Sequence, residues 1–167
     1  MKPSIQLKTI SKKGVDLALL KAEKYRLLNE PMQSESICKD ILEADPGNQR
    51  ALVTMLLALT DQFGKYTAVD ITKPTKLLPL LQNEYERAYY AGIICERRAV
   101  ASLNDGLGGD ADAYEWLVDA MREYEKAEAL KPEGNDEAIL RWNSCARLIM
   151  NRQLQPREVQ HVEPPLE

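Results

Sequence analysis

Histidine is almost missing from this chain: its 167 residues include one, His161. Ser/His and Cys/His nucleophile–base pairs need an imidazole beside the nucleophile, and His161 lies in a proline-bearing C-terminal stretch without helical period. A ferritin-like di-iron centre needs a Glu-x-x-His motif on each of two helices, so it is excluded too. Cysteine is scarce and odd in number: Cys38, Cys95 and Cys145 stand far apart, each within an apolar helical stripe. That spacing fits neither a disulfide framework nor a zinc site. It fits small core residues in a reducing compartment. No apolar run approaches the roughly 20 residues of a membrane span, and no apolar segment follows the N-terminal lysines as a secretory signal requires. Positive charge is not in excess; the net charge of −4 gives no electrostatic reason to expect nucleic acid. Phe63 is the single phenylalanine and β-branched runs are few, which favours helix over sheet.

Two further absences concern loops. Gly106-Leu107-Gly108-Gly109 is not followed by the Lys-Ser/Thr that grips a phosphate in a P-loop. Asp105, Asp110, Asp112 and Glu115 miss the EF-hand spacing. The expectation is a soluble cytoplasmic protein without catalytic residue, metal or cofactor.

What is present is helical periodicity. Ala18, Ala22 and Tyr25 recur at steps of four and three, and Ser34, Ile37, Cys38, Ile41 and Leu42 repeat that spacing. Such stripes predict two amphipathic helices, over 15–28 and 31–44. Asn29-Glu30-Pro31 divides them, because proline suits a first helical turn but not an interior. Residues 49–63 predict a third helix, apolar nearly all round, that neighbours must cover on several sides. Residues 64–74 read as a loop despite the strand-like Tyr66–Ile71, and 76–81 as a short helix. Two long helices follow, over 84–104 and 112–130, separated by a glycine-rich loop with Asp110 or Asp112 as cap. A last helix is predicted over 136–152. At this length one domain with a substantial core is expected: a flexible basic arm at 1–14, a helical domain at 15–152 and a disordered tail at 153–167.

The first helical pair resembles a tetratricopeptide repeat, a helix–turn–helix unit of about 34 residues with small residues at the helix crossing and a closing proline. Ala22, Tyr25, Ser34, Cys38, Ile41 and Pro46 carry the resemblance, with Ala18 and Lys21 departing from the pattern. Gly92, Ala120, Tyr124, Ala127 and Pro132 carry it again. Pro132 lies 86 residues after Pro46, about two and a half repeats, so an insertion must lie near 64–76 or 104–111. The resemblance implies an all-α solenoid of antiparallel helix hairpins, with a degenerate middle repeat and a C-terminal capping helix. In its register a second helix crosses closely at Gly92.

The resemblance also implies a function: a non-enzymatic scaffold that holds a partner peptide in a concave groove. The groove residues are then Leu19, Glu23, Arg50, Val53, Leu57, Tyr89, Tyr90, Ile93 and Arg97, with Thr54 beside them. Tyr89 and Tyr90 are the expected anchors, and the apolar lining with edge arginines suits a peptide with apolar and acidic residues. The family's chaperone-binding lysine–asparagine clamp is not supported, since Leu19 and Glu23 occupy its positions. The alternative is self-association through an apolar edge near 65–83. An enzyme reading requires Glu96, Arg97 and Tyr90 to converge in a buried pocket.

Overall fold

In the computed structural model, residues 4–65, 70–105 and 109–158 are described. They form seven α-helices and no strand: α1 (Val15–Leu27), α2 (Pro31–Ala44), α3 (Gln49–Asp61), α4 (Thr72–Thr75), α5 (Glu84–Asp105), α6 (Gly109–Leu130) and α7 (Glu137–Arg152). Single 3-10 turns stand at Lys12–Gly14 and Leu78–Leu80. Each long helix packs on its sequence neighbour, α1 on α2, α2 on α3, α5 on α6 and α6 on α7, while α3 bridges the halves through α5.

The local chemistry accounts for the breaks. Asn29 takes a left-handed φ of 61° after α1, and Pro31 opens α2 where its missing N–H costs nothing. Asn48 caps α3, its side-chain oxygen accepting from the Ala51 N–H at 2.9 Å. Along α3, Ala51, Leu52, Thr54, Leu56, Ala58, Leu59 and Thr60 are all buried, in keeping with a helix apolar on every side.

Two hydrophobic clusters result. Val15, Leu19, Ile41 and Ala51 form an aliphatic one. The larger one runs from Tyr85 to Leu154 and includes Ile93, Leu117, Ala120, Tyr124 and Cys145. Gly92 lies at its centre, where a β-carbon would come within 2.7 Å of Tyr124 Cδ1 and 2.8 Å of Tyr124 Cζ. The crossing expected at Gly92 is therefore made by the Tyr124 ring. Tyr124 itself is fully buried.

Several boundaries differ from expectation. The middle of the chain forms α4 where a loop is predicted, and only a 3-10 turn at Leu78–Leu80 within the short helix predicted at 76–81. Gln49 secures that stretch: its Nε2 donates to the Leu80 carbonyl at 3.3 Å and its Oε1 accepts from the Gln82 N–H at 2.9 Å. Helix α6 begins at Gly109, so Asp110 and Asp112 lie in its first turn, where carboxylates meet the positive end of the helix dipole. The tail expected from residue 153 starts with a packed residue. Gln153 turns left-handed at φ 52°, the Leu154 N–H donates to the Ile149 carbonyl, and Leu154 is 3% exposed. This is the hydrophobic closure that accompanies a left-handed helix end. At the other end Ile10, within the expected arm, packs against the aliphatic cluster. Residues 1–3 of the expected arm, 66–69 and 106–108 of the expected loops, and 159–167 of the expected tail, His161 included, lie outside the described residues.

Candidate functional site

The face shared by α1, α3 and α5 gathers the side chains from which a groove is expected. On α3 the exposed-side positions recur at Arg50, Val53, Leu57 and Asp61; on α5 at Glu86, Tyr90 and Arg97. Steps of three and four keep each set on one helical face. A cavity of about 230 Å³ opens among Glu23 of α1, Gln49, Arg50, Val53 and Thr54 of α3, and Glu86 and Tyr90 of α5. Arg50 Nη2 donates to both oxygens of Glu23, at 2.8 and 3.0 Å, closing one side of it. Burial pushes the Tyr90 hydroxyl up to about 12, with Glu86 adding to the effect, so the phenol is neutral at ordinary pH.

A second cavity, about 300 Å³, lies further along the same two helices and is lined by Asp61, Lys65, Glu96, Arg97, Asn104 and Arg141, among others. Here the charges are interlocked. Asp61 accepts from Arg26 Nε at 2.6 Å and from Arg97 Nη1 at 2.5 Å. Arg97 Nη1 also lies 3.1 Å from the Leu57 carbonyl and 2.6 Å from Thr60 Oγ1. Glu96 accepts from Arg141 Nη1 at 3.1 Å and from the Tyr124 hydroxyl at 2.5 Å. Burial holds the Arg97 guanidinium below the ordinary arginine range; Asp61 resists, while the positive charges of Arg26 and Arg141 add to it. Three guanidinium groups thus share two carboxylates.

Four of the nine residues expected in the groove, Glu23, Arg50, Val53 and Tyr90, line the first cavity, and Arg97 lines the second. Two need correction. Leu19 and Ile93 are each 2% exposed and belong to the core clusters; the side chains of α1 and α5 at those positions point between helices rather than into the groove. Leu57 is half-buried against the larger cluster. Tyr89 stacks on Tyr85 at 5.7 Å between ring centroids and meets Tyr90 edge-on at 5.2 Å and Tyr124 at 5.9 Å. It is part of an aromatic core seam, and Tyr90 is the tyrosine that lines the first cavity. Arg26, Asp61 and Glu86 escaped the sequence reading, although each extends an assigned stripe by three or four residues, from Glu23, Leu57 and Tyr90 respectively.

Glu96 and Arg97 do meet in one cavity, but Tyr90 stands in the other. Every oxygen of Glu96 and Asp61 accepts a hydrogen bond from within the protein. Among the described residues no group of three or more His, Cys, Asp or Glu side chains is placed to hold a metal ion. No helix among them is long and apolar enough to cross a membrane. No protein-family model, curated protein or solved structure matches the chain. The tetratricopeptide resemblance rests on the residues named above.

Proposed function

We propose that this chain is a non-enzymatic interaction scaffold, built on tetratricopeptide-like helix hairpins, that holds an extended segment of a partner protein along α1, α3 and α5. The observation that carries the reading is the cavity in which Glu23, Arg50, Val53 and Tyr90 converge from three separate helices. A mixed surface of this kind, with an aromatic, an aliphatic and charges at the rim, is what peptide recognition uses. From Arg50 to Asp61 helix α3 rises about 16 Å, the reach of about five extended residues. The arginine-rich second cavity at the far end favours an acidic residue in that segment. Three free cysteines suit a reducing compartment such as the cytoplasm.

Selection from a displayed random-peptide library tests this, followed by affinity measurements on the winners. Peptides that bind wild type and lose at least tenfold against Val53→Asp and Arg50→Glu, both with unchanged melting temperature, support the groove. Failure to enrich any peptide, or enriched peptides indifferent to both variants, refutes it. If the chain sediments as an oligomer that these variants disperse, self-association replaces the groove reading.

A further inference from the structure

Helix α1 is apolar on two opposite faces. Val15, Leu19 and Ala22 are buried, 5%, 2% and 0% exposed, against the aliphatic cluster. On the opposite side Leu17, Leu20, Leu27 and Leu28 are 75%, 57%, 84% and 58% exposed. Leu17, Leu20, Lys24 and Leu27 follow steps of three, four and three, the seam spacing of a helix that packs lengthwise on another. Among the described residues nothing covers this seam: in the N-terminal arm Ile10 packs against the aliphatic cluster, and Ile5 and Leu7 are themselves 90% and 85% exposed.

The charges on the stripe select what covers it. Lys24 lies in the middle of the seam and makes no ion pair among the described residues. Lys21 borders the seam with its ammonium 5.2 Å from the Tyr25 ring centroid, and Lys12 and Lys13 stand in the turn before the helix. Asp16 is the acid at the far edge. A second copy packed antiparallel with Leu17 over Leu27 sets Leu20 over Lys24, with no carboxylate opposite the ammonium, and the register with Leu17 over Leu28 sets Lys21 over Lys24, like charge on like charge. A lipid surface has to accept the Lys24 ammonium between leucines that insert, and a chain of net charge −4 is repelled by anionic headgroups as a whole. A helix carrying leucine-type residues and a carboxylate opposite Lys24 meets both demands. We propose that the outer face of α1 docks an acidic amphipathic helix of a partner protein.

The test uses the full chain and two labelled synthetic helices of three heptads, with leucine at the seam positions and either glutamate or lysine at every flanking position. Fluorescence anisotropy should show the glutamate helix binding at least tenfold more tightly than the lysine helix. Lys24→Glu should weaken the glutamate helix. Leu20→Asp/Leu27→Asp should abolish binding with no change in melting temperature, since both side chains are exposed, whereas Val53→Asp in the groove should leave it intact. Equal binding of the two helices, or no binding of the glutamate helix by wild type, overturns the proposal. So does a wild-type dimer that Leu20→Asp/Leu27→Asp dissociates, which assigns the face to a second copy. Flotation with phosphatidylserine vesicles that Lys24→Glu prevents overturns it likewise and assigns the face to lipid.

Discussion

Ser34, Cys38 and Ile41 of α2 recur, at one constant offset of 86 residues, as Ala120, Tyr124 and Ala127 of α6. All six are fully buried. The small first-helix residue is Ala22 in the α1–α2 hairpin, itself fully buried, and Gly92 in the α5–α6 hairpin, where the Tyr124 ring fills the space a β-carbon would take. The second hairpin thus carries less volume on its first helix and more on its second. The exchange brings more than size. The Tyr124 hydroxyl reaches through the seam to Glu96, and Glu96 in turn holds Arg141 of α7. A purely aliphatic crossing has no means of tying a third helix in this way.

The sharpest way to break the comparison is to fill the glycine. Gly92→Leu drives a side chain into the Tyr124 ring, and overpacking of this kind costs about 1–3 kcal/mol or more. A fall in melting temperature of at least several degrees is expected, at roughly 2–4 °C per kcal/mol for a chain of this size. An unchanged melt refutes the crossing. Gly92→Ala combined with Tyr124→Cys, which imports the first hairpin's pair, should cost less than the sum of the two single changes.

Next in size is Tyr124→Phe, which keeps the ring but removes the donor to Glu96. A hydrogen bond to a charged group contributes about 1.5–3 kcal/mol, so urea unfolding should show a loss in that range. The corresponding Cys38→Ala in the first hairpin should lose only packing. Loss of the Tyr124 hydroxyl without effect shows that Arg141 alone secures Glu96.

The smallest effect is alkaline. Burial pushes the Cys38 and Cys145 thiols up to about 12 from an ordinary 9.0. Between those values the unfolded chain has released protons that the native one retains. Stability is therefore fully present below pH 9 and declines as pH rises toward 12. Urea midpoints from pH 8 to 11 check this. Cys38→Ala/Cys145→Ala should flatten the decline; an equally steep one assigns it to other groups.

Helical period made six of the seven helices legible in the sequence, because each long helix has a continuous apolar stripe. Helix α4 was not legible: one turn, with Pro74 inside it, offers no period to read. Gly92 was legible as a close approach, since a glycine within an amphipathic stripe has few other uses. The lining of the first cavity was readable in part. Glu23, Arg50, Val53 and Tyr90 follow from register alone. Leu19 and Ile93 do not, because a difference of a fraction of a turn decides whether an apolar side chain enters a groove or a helix interface. The linkage of Tyr124, Glu96 and Arg141 joins residues 45 positions apart in the chain, and no local pattern announces it.

Gln49 carries a consequence for how the molecule comes apart. Its single amide ties the Leu80–Gln82 stretch to the start of α3, and that stretch joins the N-terminal helices, which carry the aliphatic cluster, to α5–α7, which carry most of the aromatic one. Lys76, exposed and followed by Leu77, offers trypsin a cut between them, whereas the Lys73–Pro74 bond resists it. Cleavage there should yield an N-terminal and a C-terminal fragment that remain associated through the α3–α5 contact and the Asp61–Arg97 pair, so that the nicked chain still runs as one species until salt and denaturant part its halves.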